Sequence, residues 1–137
     1  MKPYTKSYKG FVLWFVVFLV LIFCIPFVPT ENANLPTLLV MNCISVSMAV
    51  LTWMIWKNEK IYWYNGIEFE QAEKASVEQR KRYALRHAKR FTWYAAATLV
   101  YSQLAYRYNI PIAFSITVMA LGVVAVAIST LNIKLDE

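Results

Sequence analysis

Four stretches of this chain run for 16 to 22 residues without a charged side chain, and few other patterns restrict a fold so tightly. They are Phe11–Val28, Thr37–Trp56, Phe91–Tyr106 and Ile110–Leu131. At 1.5 Å per residue a helix needs about 20 apolar residues to cross a hydrocarbon core of about 30 Å. Within that core every backbone N–H and C=O must be paired inside the segment itself, which a helix does. The pattern predicts an all-α membrane protein, one integral domain over 1–137, with four transmembrane helices at about 11–28, 37–56, 91–106 and 110–131. Composition agrees, with 59% hydrophobic and only 16% charged residues, where soluble chains carry about a quarter charged.

The third stretch is short for a bilayer. It is completed by the helical turn before it, where Lys89 and Arg90 can snorkel to the interface. The first stretch follows Lys2, Lys6 and Lys9 as a signal peptide would. It is too long for an h-region, no small-x-small cleavage site follows it, and Phe23 spoils a lipoprotein site at Cys24. We read it as a retained anchor. Cys24 and Cys43 lie in apolar runs and read as packing residues, with a disulfide as the alternative.

Basic residues fix an orientation. Putting both ends and the segment 57–90 in the cytoplasm gives that side 13 Lys or Arg, against Arg107 alone opposite. That asymmetry predicts a cell-membrane protein with cytoplasmic N- and C-termini. It also explains the net charge of +6 without nucleic acid.

Segment 57–90 forms the cytoplasmic hairpin or helix region between helices 2 and 3. Asn65-Gly66 suits a two-residue β-hairpin turn, and equally a simple turn before a short helix starting near Glu68. Ser76-Val77-Glu78-Gln79 fits a capping box, and no Pro or Gly follows until Pro111, so this helix is expected to run directly into the third span. Its basic cluster, Arg80, Lys81, Arg82, Arg86, Lys89 and Arg90, reads either as topogenic charge or as a docking surface for anionic headgroups or a partner.

Helices associate in lipid through small residues and interhelical hydrogen bonds. Stripes of this kind occur in the second span (Asn42, Ser45, Ala49, Thr52), the third (Ala95, Thr98, Ser102, Ala105) and the fourth (Gly122, Ala125, Ser129). The first span has none and should pack peripherally. Asn42 and Gln103 fall at similar depth and are expected to pair as an interhelical contact, or else to line a polar site.

No Asp, Glu, Lys, Arg or His lies within the four spans, which argues against a proton relay or coupled transporter. No nucleophile, phosphate loop or ligand cluster points to an enzyme, a metal or a cofactor. His87, among Arg86, Lys89 and Arg90, is expected to be solvated or headgroup-facing. The sequence therefore favours a non-catalytic accessory or interaction subunit, of the class that includes small transporter subunits and immunity proteins. Its expected partners are membrane lipids, including anionic headgroups, and another membrane protein or a second copy. The alternative is a small oligomeric pore or carrier lined by Asn42, Gln103 and the Ser/Thr stripes.

Overall fold

In a computed structural model, which describes residues 4–64 and 66–135, the described chain is all helical. The helices are α1 (Lys9–Cys24), α2 (Leu35–Asn58), α3 (Phe69–Lys74), α4 (Val77–Arg107) and α5 (Ile112–Leu131). A one-turn 3-10 helix extends α1 to Phe27, and a second, Ile61–Trp63, follows α2. Three helices are long and apolar enough to cross a membrane: Lys9–Phe27, α2 and α5. The fourth apolar stretch is the second half of α4, which runs unbroken for 31 residues.

The punctuation follows from local chemistry. Pro36 sits in the first turn of α2, where its missing N–H is not needed. Tyr108 and Asn109 turn the chain between α4 and α5, and Asn109 takes the left-handed conformation (φ 50°) that Asn tolerates better than other side chains. Gly66, at φ 95°, supplies the turn before α3. Of the two readings of that region the structure has the turn into a helix: the described residues contain no strand, and α3 starts after Glu68. Asn65 itself lies outside the described residues, as do Lys2 and residues 136–137.

The capping box at Ser76 is present. Gln79 N–H donates to Ser76 Oγ at 3.1 Å, and Ser76 N–H donates to Gln79 Oε1 at 2.8 Å. A second capping box stands at the start of α3, where Glu68 N–H donates to Gln71 Oε1 at 3.2 Å.

Helices α2 and α4 pack against each other through the small-residue stripes. Ser45, Ala49 and Thr52 are buried on α2, and Ala95, Thr98, Ser102 and Ala105 on α4. The hydroxyls of Ser45, Thr52 and Thr98 donate to backbone carbonyls of their own helices, so these faces close without unpaired polar groups. On α5 the expected face is rotated. Gly122 is on it, and its missing Cβ would stand 2.8 Å from Tyr94 Cε2. Ala125, however, is exposed, and the buried positions are Ser115 and Val126. The bulky Tyr94 ring needs the glycine gap, and that requirement sets the rotation. Helix α1 buries no residue and touches α2 through Trp14, whose indole N–H donates to Ser47 O at 2.9 Å, in keeping with a peripheral position.

Candidate functional site: the junction at the basic end

At one end of the bundle the segment before α1, the 59–76 connection, the first half of α4 and the tail after α5 meet in one apolar cluster. Its buried members are Ile55, Ile61, Tyr62, Ala72, Tyr83, Ala84 and Ile133, with Tyr4 and Leu135 packed against them. Residues 4–8 and 133–135 therefore lie at the same end. Most of the basic residues are here too, while Arg107 is at the far end of α4.

Arg80 is the centre of this junction. It is only 6% exposed, so its donors have to be satisfied internally. Its Nε and Nη2 donate to Glu59 Oε2 at 3.2 and 2.9 Å. Its Nη1 donates to the carbonyls of Ala72 and Ala75, and its guanidinium lies 4.3 Å from the Tyr4 ring centroid. One side chain thus ties α4 to the end of α2, to α3 and to the leading arm. The expectation that Arg80 belongs to an outward docking surface is overturned: its planar fork is consumed by internal acceptors. Glu59 occupies the left-handed position that ends α2 (φ 57°), where glycine is usual. The carboxylate compensates: among the described residues it is the one acid that pairs with Arg80.

The arm is clasped onto the corner. Tyr4 hydroxyl donates to Glu59 O at 2.6 Å, and burial pushes that phenol up to about 12, against the opposing pull of Arg80. Ser7 N–H donates to Tyr62 Oη at 2.7 Å, and Tyr62 Oη and Trp63 Nε1 both donate to Ser7 O. Tyr4 stacks on Phe69 at 5.6 Å, and the Lys60 ammonium donates to Thr5 O.

His87 is the second departure. It is buried (5% exposed), stacked on Tyr64 with ring centroids 4.4 Å apart, and bonded through Nδ1 to Tyr83 O at 3.0 Å. A carbonyl accepts, so Nδ1 carries the proton. Burial holds the imidazole below its ordinary pKa, with Arg90 adding to the effect and the Tyr83 carbonyl opposing it. The expected solvated side chain is instead a neutral core residue. Tyr64 hydroxyl is buried without a hydrogen-bond partner among the described residues, and burial raises its pKa.

The rest of the basic cluster is more open. Arg82 pairs with Glu78 at 2.9 Å on the surface, and Lys81 is 3.9 Å from Glu59. Lys81, Arg82 and Lys89 are exposed, whereas Arg86 and Arg90 are half-buried.

In the apolar region the two amides do not meet. Asn42 Oδ1 accepts from Ser102 Oγ at 2.8 Å, and Gln103, one residue further round α4, is exposed. Asn42 and this part of α4 lie at the same level, but Gln103 points to a different azimuth. Consecutive helical residues differ by about 100°, and Ser102, already on the small-residue stripe, is the one facing α2. Cys24 and Cys43 are both free thiols. No group of three potential metal ligands occurs among the described residues.

No family model, curated protein or solved structure matches this chain.

Proposed function

We propose that the chain crosses the cell membrane four times, with α4 contributing the third crossing and the basic end in the cytoplasm. It acts there as a non-catalytic accessory or interaction subunit. The observation that carries this reading is Gln103, an amide exposed on the apolar half of α4. An unpaired amide in hydrocarbon is costly, and a neighbouring helix in the same membrane would relieve it. The long apolar faces of α1, which bury nothing within the chain, add lateral surface. The positive-inside asymmetry supports the orientation.

A photocrosslinking residue at Gln103 should capture a protein partner, or a second copy, in native membranes, while one at Phe15 on α1 serves as the lipid-facing comparison. Equal, weak capture at both positions would sink the reading. An oligomeric pore is the second reading, favoured by the same exposed amide. It requires solute flux across proteoliposomes that Gln103→Leu abolishes. The tight α2–α4 seam weighs against a lumen inside a single chain.

A further inference from the structure

Between α3, the start of α4 and the end of α5 with its tail lies an open cavity of about 740 Å³. Its lining includes two lysines, Lys74 and Lys134, and two glutamines, Gln71 and Gln79, all of which carry hydrogen-bond donors. No carboxylate lines it among the described residues. The two glutamines owe their donor character to the fold. Each uses its Oε1 to cap a helix, accepting from Glu68 N–H and Ser76 N–H respectively. Each carboxamide NH2 has no hydrogen-bond partner among the described residues and is left to donate. Glu73 and Glu78 line a different cavity, beside Tyr4 and Arg80, and Glu78 is paired with Arg82. His87, on the cavity wall, gives its Nδ1 proton to Tyr83 O.

Two positive charges and four amide hydrogens around one cavity select an oxyanion with several acceptor atoms, and phosphate is the common one. The rim indicates its source. Leu131, at the end of α5, is 78% exposed there, and in the orientation proposed above this is the level of the inner-leaflet headgroups. Such a site would seat a headgroup while the acyl chains stay in the leaflet beside α5. We propose that this cavity binds the phosphate of an anionic phospholipid, in a defined site distinct from the diffuse basic face of α4. The lipid source, though not the anion chemistry, rests on that membrane reading.

The full chain in nanodiscs tests this independently of its orientation in cells, since both faces of a nanodisc meet solvent and the same lipid. In phosphatidylglycerol discs, native mass spectrometry should find lipid retained on the released protein. Hydrogen exchange of 66–79 and 130–135 should slow relative to phosphatidylcholine discs. Lys74→Gln/Lys134→Gln should lower retention about 25-fold, since each ammonium near a headgroup counts for about fivefold, while exchange over 80–90 stays unchanged as a check on folding. Lys81→Gln/Lys89→Gln removes the same charge from the α4 face and should leave retention intact. Equal losses in the two double variants would reduce the effect to bulk electrostatics and overturn the site. Equal protection in neutral discs would overturn it as well. Inorganic phosphate giving the full protection in phosphatidylcholine discs would overturn the lipid as ligand and leave a soluble anion in its place.

Discussion

A guanidinium can be buried only where its hydrogen-bond donors find acceptors, and Arg80 finds them in Glu59, Ala72 and Ala75. Arg80→Met should destabilise the junction by about 3 kcal/mol, because it strands a partly buried carboxylate and two carbonyls. Adding Glu59→Gln should recover part of that loss, which unfolding of the purified protein in mild detergent would measure. A double variant no more stable than Arg80→Met alone would mean that Glu59 is not the partner that matters. His87 makes a separate prediction. Its folded pKa lies below the unfolded value of 6.5, so between the two the unfolded chain binds more protons and stability falls with falling pH. The junction should hold full stability above about pH 6.5 and lose it as the pH drops towards the folded pKa, seen as faster exchange over 60–90. His87→Gln should flatten that dependence. Neither residue's position was legible in the sequence. Arg80 is one of several adjacent cations, its partner lies 21 residues away, and nothing local distinguishes it from Lys81 or Arg82. His87 sits among charges that suggest water, and only the ring of Tyr64 folding over it reveals a core position.

At the level of elements the sequence was far more informative, because burial in lipid and burial in protein leave different patterns. Uncharged length located the apolar stretches, and small residues at helical spacing located the α2–α4 seam, whose expected positions from Ser45 to Thr52 and Ala95 to Ala105 are all buried. Spacing alone does not fix which neighbour of a stripe points across it, so Ser102 took the place expected of Gln103. A double-mutant cycle should therefore show coupling between Asn42→Leu and Ser102→Ala, with single costs near the 0.6 to 1.7 kcal/mol that such bonds contribute on average and at most. Asn42→Leu and Gln103→Leu should simply add. Coupling in the second pair and none in the first would reverse the assignment. The rotation of α5 was hidden for a different reason. Gly122 matters through the Tyr94 ring that fills its gap, a requirement of the partner helix that the α5 sequence does not carry.

For the whole molecule, the arm at 4–8 and the tail at 133–135 share one end of the bundle, an arrangement compatible with the four crossings proposed above. In a variant whose two native cysteines are replaced, single cysteines at Asn32 and Asn109 should react with an impermeant thiol reagent on intact cells. Cysteines at Glu73 and Lys134 should stay protected until the membrane is opened. Labelling of Glu73 from outside would invert every loop. The junction also has a consequence for biogenesis. Its contributing pieces emerge from the ribosome at the beginning, middle and end of synthesis, and the cluster around Tyr62, Tyr83 and Ile133 cannot close until the segment after α5 has been made. In the proposed topology, a chain that skips the third or fourth crossing would deliver Ile133 to the face opposite Tyr62 and Tyr83 and leave the aromatic half of the cluster uncovered. On that proposed topology, correct insertion would be recorded as a closed surface and a missed later crossing as an exposed apolar one.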